Sequence, residues 1–327
     1  MGTWLQPADS RPVAVITRDG HGESFHHGVV SVVNADGQEL FEAGRADRVV
    51  YPRSTLKPLQ TLAVLRTGAE LTDVEIALAT ASHSGSRAHR DAVAGFLRRH
   101  FLSADLLQCP ADWPLSGAEK VQLIGDGGEK SALAMNCSGK HAGFLSACQH
   151  RGDSLEDYLE PGHPLQLDIQ RVIEEFTGET IAHSSVDGCG APLHALSLRG
   201  LARGIARVLS GGDPHGQRIV DAVAAHPWAI AGDGQPNTTV IQALGGIAKI
   251  GAEGLVVIGV PSGITAAVKI LDGSMRATTP VALEALAHVG AIERDMVDNL
   301  RATLDPVVSA GHSLRGGLEV TLGAGAP

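Results

Sequence analysis

Ser54 and Lys57 stand three residues apart in the stretch Tyr51-Pro52-Arg53-Ser54-Thr55-Leu56-Lys57-Pro58-Leu59-Gln60. On a helix that spacing places both side chains on one face, so a hydroxyl and an amine can meet. A serine becomes a nucleophile when a base takes its proton. A lysine serves as that base only where burial or nearby positive charge leaves it neutral. Leu56, Leu59 and the run Thr61-Leu62-Ala63-Val64-Leu65 offer a dry wall for such an amine. Ser54 is thus a candidate nucleophile and Lys57 its candidate base. A bland alternative uses the same residues, since serine before an apolar run is a common helix N-cap and Ser-x-x-Lys matches arise readily by chance.

Other polar clusters extend the chemistry. Ala81-Ser82-His83-Ser84-Gly85-Ser86 closes an apolar element and precedes a helix, so its serines either cap that helix or face a cleft. Asn136-Cys137-Ser138-Gly139-Lys140-His141 gathers a thiol, an ammonium and an imidazole at a helix start. The field there favours anions and makes Cys137 a candidate thiolate; a small buried Cys137 beside a surface Lys140 is the plainer alternative. In Val186-Asp187-Gly188-Cys189-Gly190, Asp187 either binds a substrate amine or hydrogen-bonds its own turn. Paired with Cys137, Cys189 supplies a second sulfur, enough for Zn²⁺ if further ligands arrive. Lys249 is a lone lysine entering an apolar strand, and it either snorkels outward or points into a site that needs positive charge.

These groups need elements to hold them. Pro12 to Thr17 and Val29 to Val33 read as strands, with hairpin-turn chemistry at Asn34-Ala35-Asp36-Gly37. Arg48-Val49-Val50 then leads into a helix from Ser54 to about Thr67. Further helices are expected over 87–101, 165–176, 193–209, 216–225, 280–289 and 292–304, with an irregular, lid-like excursion over 101–131. Residues 232–239 read as a polar turn. Ile247 to Leu271 reads as a meander with Gly-rich turns, and Leu318 to Leu322 as a last edge strand. The chain ends are β-rich and the middle helical, which predicts an α+β fold: an antiparallel sheet built from both ends, covered by helices. No repeat or composition break divides the chain, which reads as one catalytic domain over 1–327. Within it, a sheet lobe (about 1–50 and 240–327) and a helical lobe (about 51–239) are expected.

Composition narrows the function. The 327 residues are 43% hydrophobic and 19% charged, enough for a large core. A net charge of −10 argues against nucleic acid, whose binding needs clustered Lys and Arg, and leaves a small molecule as the expected partner. No apolar run approaches the roughly 18 residues that cross a bilayer, so the reading is a cytoplasmic protein with no membrane partner. Cys109, Cys137, Cys148 and Cys189 are too scattered for a disulfide framework.

The order of groups is that of serine acylating enzymes of the β-lactamase and penicillin-binding type: Ser-x-x-Lys, a second serine, then a Lys-x-Gly strand. Ser54 to Lys57, Ser82, and Lys249-Ile250-Gly251 keep that order. More closely, the chain resembles the rhizobial-type asparaginase (asparaginase II) family over about residues 12–277. The resemblance rests on Pro52-Arg53-Ser54-Thr55-Leu56-Lys57-Pro58, Ala81-Ser82-His83-Ser84-Gly85, Asn136 to Gly143, His163-Pro164-Leu165-Gln166, Asp187-Gly188-Cys189 and Ala248 to Gly254.

That resemblance implies a serine β-lactamase-like fold and hydrolysis of L-asparagine to L-aspartate and ammonia, with a homodimer as the assembly. It implies Ser54 as nucleophile, Lys57 as its base, and Ser82 with Lys249 as a second serine and lysine. Cys137, Lys140 and Cys189 match zinc ligands, which for Lys140 requires a depressed pKa. Arg53, His83 and Asp187 match positions near the substrate. Two departures stand out: Cys109-Pro110 where relatives carry Cys-Gly, and Pro236-Asn237-Thr238 in place of Asp-Thr or Cys-Thr. The competing readings are a β-lactamase-like serine peptidase or esterase, and a non-catalytic protein stapled by zinc.

Overall fold

The computed structural model describes residues 3–322. β1 (Arg11–Arg18) and β2 (His21–Val33) form a hairpin, and β3 (Glu39–Ala43) folds back on β2 after the Asn34–Gly37 turn. That turn needs Gly37, whose φ is +79°. The short β4 (Val49–Val50) leads into one 3₁₀ turn, Arg53–Leu56, which runs directly into α1 (Lys57–Arg66). Helices follow: α2 (Asp73–Thr80), α3 (Arg87–Arg99), α4 (Gly117–Gly125), α5 (Ser138–Arg151) and α6 (Pro164–Thr177). β5 (His183–Val186) and β6 (Pro192–Ser197) precede α7 (Leu198–Leu209), α8 (Pro214–Ala225), α9 (Pro227–Ala231) and α10 (Pro236–Leu244). The meander is β7 (Ile247–Gly251), β8 (Leu255–Gly259) and β9 (Thr265–Ile270). The chain then forms α11 (Thr278–His288), α12 (Arg294–Leu304), β10 (Val307–Ala310) and β11 (Ser313–Val320).

The main sheet runs β10-β11-β1-β2-β9-β8-β7, with β3 also on β2, and its pairs are antiparallel. Both ends of the chain build it: Val15 of β1 stands opposite Glu319 of β11. The expected α+β architecture is therefore the observed one. β8 is buried along its whole length, and α7 and α11 both pack against it. α1 is buried from Lys57 to Leu65 among α2, α5, α6, α7 and α8. A helix apolar all round belongs inside, and here it carries Lys57 into a dry interior.

The structure departs from the sequence reading in several places. Ser54 lies in a 3₁₀ turn rather than in the α-helix. Leu193 to Ser197 is not helical but the central strand of a small sheet, β4-β6-β5; Ser197 accepts a hydrogen bond from Gly200 N, and that cap starts α7. The turn expected to run through Thr239 ends earlier, because Pro236 begins α10. The 101–131 excursion contains α4, and β11 is flanked by β10 rather than forming an edge.

Candidate active site

The turn bearing Ser54 is tightly held. Arg53 sits at φ +52°, a left-handed conformation that a non-glycine residue adopts at a cost of about 1 kcal/mol or more. Thr55 Oγ1 donates to Pro52 O at 2.6 Å. The end of β7 presses on this turn so closely that a Cβ at Gly251 would stand 2.9 Å from Pro52 O. A glycine at that place in Lys-x-Gly is thus a steric requirement.

Ser82 is held from both sides. Its backbone N–H donates to Ile230 O at 3.0 Å and that of Ser84 to Ala231 O at 2.8 Å, while His83 N–H donates to Asn136 O at 3.1 Å. Its hydroxyl lies between two buried amines. Lys57 Nζ is 2.9 Å away and Lys249 Nζ 2.7 Å. Lys57 also meets Ala81 O and lies 3.1 Å from Cys137 Sγ. Its hydrogen bonds go to these three groups, and none goes to Ser54. The expected direct Ser54–Lys57 bond is absent among the described residues.

Lys249 is fully buried. That burial first, and then the charge of Lys57, pushes it well below the ordinary lysine range. A neutral amine donates and also accepts. With Ile250 O at 3.0 Å taking one N–H, its lone pair is available to the Ser82 proton. Lys57 Nζ and Lys249 Nζ each stand at donating distance from Ser82 Oγ.

The second cluster is built from α5 and the turn before β6. Cys137 is the N-cap of α5 and Lys140 lies in its first turn. α5 approaches α2 so closely that a Cβ at Gly139 would meet Leu78 O at 2.3 Å. Lys140 Nζ is 3.0 Å from Cys189 Sγ, and Cys137 Sγ donates to Asn136 Oδ1 at 3.5 Å. The proton distribution differs from the expectation. Cys137 and then the Lys140 ammonium hold the Cys189 thiol far below the usual thiol range, against its burial. The neighbouring Cys189, with burial, pushes Cys137 up. Lys140 is raised rather than depressed, because the Cys189 and Cys137 sulfurs outweigh the burial that opposes its charge.

Two sulfurs and one amine nitrogen converging in a buried pocket suit Zn²⁺ in donor type. Ligation by Lys140 then has to expel the proton that Cys189 now holds in place.

A cavity of about 290 Å³ joins the clusters. Arg53, Ser54, Ser82, Asn136, Cys137, Asp187, Cys189 and the β7 end from Ile250 to Ala252 line it. Lys57, Lys140 and Lys249 lie buried behind that lining. Arg53 Nε donates to Asp187 Oδ1 at 2.8 Å, so a cation and an anion face the cavity side by side.

His83 does not line the cavity. Its Nδ1 accepts from Gly85 N at 3.1 Å, its Nε2 lies 2.9 Å from Ser138 Oγ, and its ring stacks on His89 with centroids 4.8 Å apart. Both nitrogens are spent on the scaffold, which corrects the expectation of a substrate contact. Pro236, Asn237 and Thr238, the second departure from the family pattern, also lie outside the lining. Leu115 and Met275 line it and had no distinguishing signal in the sequence.

Comparison with known proteins now adds the class. A family model described as L-asparaginase II matches residues 14–319, well past the 277 anticipated from motifs. The chain belongs to the L-asparaginase II family, and with that membership it is a hydrolase. No curated protein matches it. Among solved structures, a β-lactamase from Mycobacterium bovis is 13% identical over 80% of this chain and 94% of its own, with a TM-score of 0.37. Mglu in its native form is 14% identical over 90% and 70%, with a TM-score of 0.41. EstCE1, a hydrolase with promiscuous acyltransferase activity, is 11% identical over 87% and 95%, with a TM-score of 0.40. Among the described residues no helix is long and apolar enough to cross a membrane.

Proposed function

We propose that the protein hydrolyses the side-chain amide of L-asparagine to L-aspartate and ammonia through an acyl-serine intermediate. The observation that carries this is the buried chain Lys57–Ser82–Lys249 behind a cavity that Ser54 lines. Ser54 is the nucleophile because its hydroxyl is unencumbered, whereas that of Ser82 is engaged by both amines. The 3₁₀ turn runs directly into α1, so Ser54 and Lys57, three apart, start from one side of the backbone. As Ser54 Oγ bonds to the carboxamide carbon, its proton passes to Lys57, which gives one of its own through Ser82 to Lys249. The C–N bond breaks as the nitrogen takes a proton back from this chain. Water, deprotonated by the same route, then cleaves the aspartyl ester. Arg53 and Asp187 match the carboxylate and ammonium of an amino acid.

Cys137, Lys140 and Cys189 are the proposed ligands of one Zn²⁺, which supplies a Lewis-acid anchor for a substrate oxygen. The assembly we propose is a homodimer, which analytical ultracentrifugation tests. The function is tested by ammonia release from L-asparagine and L-glutamine by wild type and Ser54→Ala, with metal measured on the same preparations. Retained activity in Ser54→Ala refutes this nucleophile. Nitrocefin turnover without asparagine turnover favours a β-lactamase-like peptidase or esterase.

One observation favours a second reading: Ser82 is the serine already hydrogen-bonded to buried lysine amines, as a nucleophile is to its base. Rapid-quench mass spectrometry of the acylated peptide, containing position 54 or position 82, separates the two.

A further inference from the structure

The cavity that Ser54 lines has a larger neighbour, of about 450 Å³, and Arg53 lines both. The same three chain segments wall the two, each giving them adjacent residues: Arg53 and Ser54, Val186 and Asp187, Glu253 and Ala252, the first of each pair on the neighbour. Its walls are largely apolar. Val49, Val50 and Leu193 are buried there, the Trp4 and Tyr51 rings stand 5.0 Å apart, and Val186 is left 67% exposed. Apolar side chains exposed together around a concavity mark a binding surface, as scattered ones do not. The backbone is strained at the same place. Of the four non-glycine residues with positive φ among the described residues, two line this cavity, Arg53 at +52° and Glu253 at +66°. Such conformations cluster at ligand-binding sites. The polar groups here have bonding capacity to spare. Arg53 Nε is spent on Asp187, and no terminal nitrogen of Arg53 and no carboxylate oxygen of Glu253 has a hydrogen-bond partner among the described residues. Lys269 Nζ donates to Glu253 O, and to Ile270 O at 2.9 Å, which leaves one N–H.

We propose that this second cavity binds a free α-amino acid with a large apolar side chain, and that its occupant weakens the binding of asparagine through Arg53. Only the second half rests on the proposed function. The charges select the head group: Arg53 and Lys269 suit a carboxylate and Glu253 an ammonium, while Trp4, Tyr51 and Val186 take the side chain. Asparagine, with a polar side chain, gains nothing from those walls. The guanidinium is the shared element. An N–H turned to a carboxylate in one cavity is withheld from a carboxylate in the other, so the two ligands bind at each other's expense and by the same factor in both directions.

The test titrates the full-length protein with L-phenylalanine and L-tryptophan by calorimetry, where dissociation constants of about 1 mM or tighter are expected. Phenylethylamine lacks the carboxylate and hydrocinnamate the ammonium, and each should bind about tenfold more weakly or worse. Glu253→Gln removes the carboxylate, and Val186→Trp fills the cavity. Both positions are exposed, so the variants should keep the wild-type melting temperature and lose the binding. In ammonia release, L-phenylalanine should raise the KM for asparagine to a plateau about fivefold higher or more at unchanged kcat, and both variants should keep wild-type kinetics without that response. Simple competition in the Ser54 cavity would raise KM without a plateau and survive both variants, and that result overturns the inference. So does the absence of heat at about 10 mM of either amino acid. A Val186→Trp protein whose sedimentation changes, while L-phenylalanine stays silent in wild type, gives this face to a second copy of the chain and overturns it too. A wild type that releases no ammonia yet binds L-phenylalanine, with both variants failing to bind, refutes the proposed function and supports this site. Asparagine turnover with no binding of L-phenylalanine overturns the site alone.

Discussion

Helix α5 carries a cluster of ligand-type residues at each end, and only the N-terminal one borders the cavity that Ser54 lines. At its C-terminal end Cys148, Asp153 and His163 bring their donor atoms within 4.8 Å of one another, as compact as many metal sites. Both ring nitrogens and one carboxylate oxygen there are already committed. His163 Nδ1 accepts from Leu165 N at 3.2 Å, capping α6, and its Nε2 donates to Ser154 O at 3.1 Å. Asp153 Oδ2 accepts from Arg151 at 2.7 Å, and burial pushes the Cys148 thiol up to about 12.

At the N-terminal end, Lys140 Nζ donates to Cys189 Sγ beside Cys137, and a buried His141 nitrogen lacks a hydrogen-bond partner among the described residues. Proximity of ligand types does not make a site. Uncommitted lone pairs and protons beside a cavity do.

The largest expected effect probes the serine beside the second cluster. Ser54→Ala should lower asparagine turnover by about 10⁴-fold or more, measured by ammonia release, as loss of a nucleophile does elsewhere. Next comes the contrast itself. Cys189→Ser should abolish zinc retention after dialysis, read by elemental analysis, while Cys148→Ser should leave it equal to wild type; loss in both would erase the distinction drawn between the two ends.

Lys249→Met should cost about 10²–10⁴-fold in turnover. It should also raise stability to denaturant by about 1 kcal/mol or more, because a desolvated amine is replaced by an apolar chain of similar size. The sign with pH can be worked out. A lysine depressed in the folded state leaves the unfolded chain binding the extra proton between the folded and unfolded pKa values. Wild-type stability should therefore climb with pH across that window, and more steeply than in Lys249→Met. The acidic limb of kcat/KM should fall below the ordinary lysine range for the same reason. The smallest effect belongs to the committed cluster: His163→Ala, which removes the α6 cap, should cost about 1 kcal/mol in stability with zinc content unchanged.

Much of this was legible in the chain. Ser54-x-x-Lys57, the Ser82 turn, Lys249-x-Gly251 and the two cysteine turns stood out as polar groups set in apolar or glycine-rich surroundings. The β-rich ends predicted the sheet. Leu193 to Ser197 was misread because a short apolar strand running straight into a helix has no break in periodicity. His83 was misplaced because its motif reveals its neighbours in sequence but not Ser138 or Gly85 N closing on its ring.

The amino-acid order determined which groups were available and roughly where the turns and strands would fall, since both follow from local sterics and periodicity. Tertiary packing alone decided their state. It placed Ser82 rather than Ser54 between the amines, pushed the Cys189 thiol below and the Cys137 thiol above the usual range, and joined Tyr158 to His141 across the space between two segments. The reason is physical: charge and proton positions depend on desolvation and on partners remote in the chain, and those exist only once the interior has closed around them.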